Sequence, residues 1–415
     1  MNKTNSIFIL IILLIAGCSS ELPEESQRTI NQGEVIGIES DNNTFAWLGI
    51  PFAEPPVGNL RWKAPLQPKP FNSRFEANQF ADICFQPGGL FGGGEDWTGS
   101  EDCLYLNVWT PAWSSEELKE KKVPVMVWIH GGGNTTGSAD TYNPSNIVFD
   151  NEVIVVTVQY RMSNLGWFRH PSLRQGDATL EDASGSFGTL DNIMALRWVK
   201  DNISVFGGDV NNVTIYGESA GGHNVAALYA SPLAEGLFHK AIVQSGIVSH
   251  SDLVEAESYY PESGISGIQS SKEVLNWLLL NDDKATTLLE ARDVQDLMSL
   301  QESEDYLRSK TPEELLTAYR NVRPKKGGMT RAFNDGYVLG EKGILESFTN
   351  QKMLRVPIIL GTNRYESKLF NMRNPRFVRW GEGEGIVMTY HSSVESVYAR
   401  PWYKCIPQCE RTICT

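Results

Sequence analysis

The chain has 415 residues and a formal charge of -14, and no run of Lys or Arg offsets that charge locally, which excludes a nucleic-acid phosphate backbone as a partner. Hydrophobic residues make up 41% and charged residues 21%, the range of an ordinary globular protein, so disorder is not the default. Length alone leaves one long domain or two average ones open.

In chain order, Lys3 precedes an unbroken apolar run from Ile7 to Ile15. The run has the character of a signal peptide's apolar region and falls short of the about 20 apolar residues that a spanning helix needs. Small residues Ala16 and Gly17 directly before Cys18 resemble the lipobox of bacterial lipoproteins, in which the cysteine is acylated and becomes the mature N-terminus. The rival is an ordinary cleaved signal that happens to contain a cysteine. Both predict export. The lipobox reading gives a signal peptide over 1–18, a polar tether over 19–28 and membrane attachment through lipidated Cys18. Ser19 carries no inner-membrane retention signal, which favours the outer membrane or cell surface. In an oxidising compartment Cys84 and Cys103 are expected to close a glycine-rich loop, worth about 3 kcal/mol.

From about Gly33 short apolar runs alternate with helical patterns, which favours a mostly parallel sheet covered by helices. Val123 to Ile129 and Val153 to Val158 read as buried strands. Ile193, Leu196, Trp198, Val199 and Ile203 recur at helical spacing and lead into a strand at Val213–Tyr216 that ends at Gly217. Ala241–Val243 and Val356–Leu360 give two more strands. Between them, from Ser249 to Met329, a polar stretch with helical segments such as Lys272 to Leu280 reads as a cap or insertion. No internal repeat interrupts this pattern.

Gly217-Glu218-Ser219-Ala220-Gly221 fits G-x-S-x-G between an apolar strand and the helical run Ala226 to Ala230. So sharp a strand-to-helix turn leaves no room for side chains two residues either side of the serine, and it exposes Ser219 at the strand's carboxyl edge. The helix N-terminus behind it favours a developing anion. His130-Gly131-Gly132-Gly133 directly follows another strand, and its glycines can turn the N–H groups of Gly132 and Gly133 toward an oxyanion, joining that of Ala220. A phosphate loop would continue with Lys-Ser/Thr, whereas Asn134-Thr135-Thr136 follows here.

With these motifs in place the sequence resembles the type-B carboxylesterase and cholinesterase family. Glu101-Asp102-Cys103-Leu104-Tyr105-Leu106-Asn107-Val108 looks like the family's second signature, and Cys84 with Cys103 matches its first disulfide. Phe206-Gly207-Gly208-Asp209 leading through Val213 to Gly222 is similar to the stretch around the family's nucleophile. Gln244-Ser245-Gly246 resembles a segment whose serine is usually a buried hydrogen-bonder. The resemblance implies an α/β-hydrolase fold over 29–379: a central, mostly parallel sheet flanked by helices, with a helical cap-like insertion. It also implies hydrolysis of a small-molecule ester through an acyl-Ser219 intermediate, with no cofactor and no metal. Oligomeric state leaves no signature.

Gly361-Thr362-Asn363-Arg364-Tyr365-Glu366 follows the last strand and resembles the family's G-x-N-x-x-E, which makes Glu366 the expected acid. The family's base lies in a His-Gly-x-Glu context well beyond the acid. Here His391 is the sole histidine after Glu366, and Met388-Thr389-Tyr390-His391 lacks that context. His130 belongs to the glycine loop and His223 to the elbow helix, while His170, His239 and His250 precede the acid. Cys405-x3-Cys409-x4-Cys414 matches no zinc spacing. Residues 380–415 therefore read as an unassigned tail, expected to be a premature, frame-shifted end to a longer gene. The competing reading is a catalytically inactive, hydrolase-like binding or adhesion lipoprotein.

Overall fold

The computed structural model describes residues 22–89, 94, 96–260, 269–322, 329–349 and 354–366, and the backbone of 378–380 and 386–388. Cys18, His391, Cys405, Cys409 and Cys414, and the glycine run at 92–93, lie outside the described residues. The chain divides between Leu360 and Gly361 into two units.

The first unit is built on an eight-stranded sheet. Its strands are β1 (Ile38–Ser40), β2 (Thr44–Pro51), β3 (Tyr105–Pro111), β4 (Val123–Ile129), β5 (Ile154–Val158), β6 (Gly208–Glu218), β7 (Lys240–Gln244) and β8 (Ile358–Gly361). Their spatial order is β8-β7-β6-β4-β5-β3-β2-β1. β5 pairs with β4, β4 with β6 and β6 with β7 in parallel, whereas β3 pairs with β5 and with β2 antiparallel, as do β2 and β1. The expected parallel sheet is thus the centre, and the end nearer the N-terminus is antiparallel. Every residue of Ile154–Val158 is buried, as in a strand covered on both faces.

Helix α1 (Phe187–Asn202) joins β5 to β6 and is buried over most of its surface. Helix α2 (Ala220–Ala230) follows β6 directly and is buried along its whole length. The stretch between β7 and β8 contains α3 (Ser271–Asn281), α4 (Leu288–Leu297), α5 (Leu300–Arg308) and α6 (Pro312–Val322). Each begins in the same way, because Ser270, Thr287, Ser299 and Thr311 accept from the backbone N–H of Glu273, Glu290, Glu302 and Glu314. This S/T-x-x-E pattern satisfies an orphan donor at each helix start.

Several boundaries differ from the sequence expectation. β6 starts at Gly208 and ends at Glu218, because its register with β4 shifts between Gly208 and Val213. β8 starts at Ile358 instead of Val356, since Pro357 has no N–H for a ladder; its carbonyl accepts from Ala241 instead. The stretch expected to be a free tether is docked from Ser26 to Arg28. Ser26 Oγ donates to the Gly37 carbonyl at 3.0 Å, the Trp47 indole donates to the Ser26 carbonyl at 2.9 Å, and Arg28 lies 5.0 Å over the Trp47 ring. Cys84 and Cys103 are disulfide-bonded and buried, as expected.

Among the described residues of the second unit, Val378–Trp380 pairs antiparallel with Ile386–Met388.

Candidate active site

Register brings the two glycine motifs together. Gly217 of β6 pairs with Ile129 of β4, so the chain emerging from β6 into α2 lies beside the chain emerging from β4. Ser219 sits between β6 and α2 at φ 58 and ψ -118, a conformation rare for a residue with a side chain. The turn is closed by three backbone contacts: Ser219 N–H donates to the Gln244 carbonyl at 2.8 Å, His223 N–H donates to the Ser219 carbonyl at 2.9 Å, and the α2 backbone packs on β4. That last approach explains the glycines. A Cβ on Gly221 would stand 2.0 Å from the Ile129 carbonyl oxygen, and one on Gly217 would stand 2.6 Å from the Gly221 carbonyl carbon.

The loop His130–Gly133 reaches the same place. A Cβ built on Gly131 would be 3.4 Å from Ser219 Cβ, so the loop backbone lies directly against the serine. Gly132 adopts φ 102 and its carbonyl turns back to accept from the N–H groups of Thr135 and Thr136, at 3.1 and 3.0 Å. Ala220 is the first residue of α2, where N–H groups have no partner within the helix.

A buried polar network that no motif announces locks these two halves. Asn134, at positive φ directly after the glycines, accepts from Asn224 of α2 at 3.0 Å and donates to the Thr330 carbonyl at 2.8 Å. Tyr160 donates to the His130 carbonyl at 2.7 Å and stacks on the His130 ring at 4.4 Å. Beneath, Arg161 and Asp191 form a buried bidentate pair, with N–O distances of 2.9 and 2.7 Å. Such a charged pair is stable in the interior only because both members are matched.

Burial also sets the histidines. His130 and His223 are fully buried, and desolvation lowers both to about 4, so both are neutral at neutral pH. His223 bonds through Nδ1 to the Ile247 carbonyl at 2.6 Å. His170, lowered by burial to about 4, holds Ser172 at 2.7 Å. Trp97 stacks with Phe85 at 5.7 Å, and Arg320 lies 4.3 Å from the centre of its ring. Glu366 belongs to the second unit. There its Oε1 accepts from the Asn363 N–H at 2.9 Å and from Thr362 Oγ1 at 3.2 Å. The G-x-N-x-x-E stretch is therefore a turn closed on its own carboxylate.

A strained serine at the end of a parallel strand, flanked by a glycine loop, agrees with what comparison of the whole chain finds: the model of the Carboxylesterase family matches residues 24–395. The chain belongs to the carboxylesterase family. It is 41% identical over 271 residues to Carboxylesterase 1D of Rattus norvegicus, covering 61% of this chain and 46% of that protein. It is 33% identical over 349 residues to the Fumonisin B1 esterase of Sphingopyxis macrogoltabida, covering 84% and 57%. Against the para-nitrobenzyl esterase of Bacillus subtilis the identity is 44% over 222 residues, covering 52% and 43%. The chain thus spans about half the length of the curated relatives it matches. Among solved structures, a PNB esterase superposes with a TM-score of 0.67 at 32% identity, covering 86% of this chain and 67% of the other. The α/β-hydrolase fold of this carboxylesterase-family chain follows from these matches and from its sheet.

Proposed function

We propose that the chain is a serine carboxylic ester hydrolase. Ser219 Oγ attacks the ester carbonyl and gives up its proton to a base. The oxyanion is held by the N–H groups of Gly132, Gly133 and Ala220, the alcohol leaves, and water releases the acid from acyl-Ser219. Each oxyanion donor is worth on the order of a hundredfold in rate. Glu366 orients the base imidazole in this scheme. The observation that carries the reading is the contact of the His130–Gly133 loop with a serine held at φ 58. Hydrolysis of p-nitrophenyl acetate and butyrate tests it. The Ser219→Ala variant is expected to lose about 10⁴-fold or more in turnover; equal rates in the two proteins would overturn the assignment.

Export and lipid attachment at Cys18 form a second part of the proposal. The Ile7–Ile15 run, Ala16-Gly17 before Cys18 and a disulfide between Cys84 and Cys103 support it. Palmitate incorporation is expected in cells expressing the full chain and is lost on Cys18→Ala; incorporation that survives the substitution would contradict it.

A further inference from the structure

Beside the Ser219 centre lies a polar cluster that the scheme above does not use. Two segments meet there, one carrying Ile247 and His250 beyond β7, the other carrying Thr330 and Arg331. Each is tied to one half of the centre. The Ile247 carbonyl is bonded to His223, one helical turn after Ser219, and the Thr330 carbonyl is bonded to Asn134, next to the loop glycines. The segments also hold each other, since the Ser251 N–H donates to the Ala332 carbonyl at 2.9 Å and the Asn334 N–H to the Ser251 carbonyl at 3.3 Å. Arg331 is near enough that, besides burial, its charge lowers the proton affinity of both His223 and His250.

Arg28 and Arg331 are enclosed or half-buried arginines without a matching anion among the described residues, but Arg28 donates to the Glu25 and Gln27 carbonyls and lies over the Trp47 ring, and Arg331 has no such contact. Arg61 is paired with Glu101, Arg161 with Asp191, Arg169 and Arg174 with Glu257, Arg292 with Glu273 and Arg308 with Glu304. Arg331 is half-buried, its Nε is enclosed without a hydrogen-bond partner, and no carboxylate among the described residues stands within ion-pair distance. Glu255 acts on it only from farther away, opposing the effect of burial. An enclosed donor left unmatched costs stability unless a ligand or a water completes it. His223, which is fully buried, and His250 each have an enclosed ring nitrogen without a partner, Nε2 and Nδ1 respectively. Because His223 Nδ1 gives its proton to the Ile247 carbonyl, its Nε2 presents a lone pair and does not bind a carboxylate. His250 Nδ1 lies against Gly343, where a Cβ would stand 2.0 Å from it, so the donor left for an anion is Arg331.

We propose that Arg331 is a carboxylate-binding residue of the ester site, so that the ester opened at Ser219 carries a free carboxylate. The proposal rests on Ser219 being the nucleophile. A guanidinium presents two parallel donors to a carboxylate, which fixes the orientation of the substrate as well as its charge.

The test compares p-nitrophenyl hydrogen adipate with its neutral counterpart, p-nitrophenyl methyl adipate, on the full chain. The anionic ester is expected to have roughly tenfold or greater kcat/KM, the size of one charge-assisted hydrogen bond. In Arg331→Gln that ratio is expected to collapse toward one through KM, and Arg331→Lys to recover part of it. A ratio unchanged in both variants overturns the proposal. Calorimetry of adipate binding to the Ser219→Ala chain separates the two claims. Adipate binding that Arg331→Gln removes, with neither ester hydrolysed by the unmutated chain, keeps the carboxylate site and removes the nucleophile. Hydrolysis of both esters without preference, and no adipate binding, keeps the nucleophile and removes the carboxylate site.

Discussion

β6 precedes Ser219 and β8 precedes the turn that carries Glu366, and the two strands are built differently. β6 runs between β4 and β7 with Val213 and Ile215 fully buried, and it ends in a serine whose backbone is forced to positive φ. β8 lies at the end of the sheet, Ile359 and Leu360 are 64% and 58% exposed, and the turn that follows is closed by the Glu366 carboxylate itself. Strain persists only where the surroundings over-determine it, so a serine nucleophile calls for packing on every side. A carboxylate can be held by the amide of its own loop. The contrast teaches that packing is concentrated around the strained serine.

The largest effect that tests this contrast is expected from Gly221→Ala. Its new methyl would enter the Ile129 carbonyl, forcing α2 and β4 apart, and overpacking that backbone cannot relieve costs upward of about 3 kcal/mol. Failure to fold, or a large drop in urea midpoint, is expected; a wild-type midpoint would show that the elbow is not tightly packed. Next in size, Ile215→Ala in β6 is expected to cost about 2–5 kcal/mol.

Acid comes third. His130, His170 and His223 sit at about 4 in the folded chain against an ordinary value of 6.5. Between those values the unfolded chain takes up protons that the folded chain refuses. Their contribution is therefore complete above pH 6.5 and lost as pH falls toward 4, on the order of 1–3 kcal/mol per histidine. Unfolding free energy followed from pH 7 to 4 is expected to fall less steeply in His170→Gln, and identical slopes would contradict the burial argument. The smallest effect is Ile359→Ala in β8, expected within about 0.5 kcal/mol because its side chain faces solvent. Equal costs for Ile215→Ala and Ile359→Ala would erase the distinction between the strands.

Much of the centre was legible because it is local. G-x-S-x-G and the His130–Gly133 loop each carry their geometry within five residues, and the strands before them are continuous apolar runs. The bond between Cys84 and Cys103 could be expected from export and loop closure. Asn134, Asn224 and Tyr160 could not be grouped, because only the register of β4, β5 and β6 brings them together. Their one signal was the position of Asn134 directly after the glycines. The antiparallel end of the sheet escaped notice for a different reason: β1 has three residues, too few for a period to show. In the cap the four S/T-x-x-E starts were present in the sequence, yet only Lys272 to Leu280 stood out by apolar spacing. Arg331 has no motif at all, since what distinguishes it is a missing partner in space.

The central claim is that Ser219 is a nucleophile poised beside its oxyanion donors. Intact-mass analysis after treatment with a fluorophosphonate, followed by peptide mapping, tests it most directly. One phosphonyl adduct on Ser219, absent from Ser219→Ala, is the expected result. No adduct on the folded chain, or one that persists in Ser219→Ala, would contradict the claim.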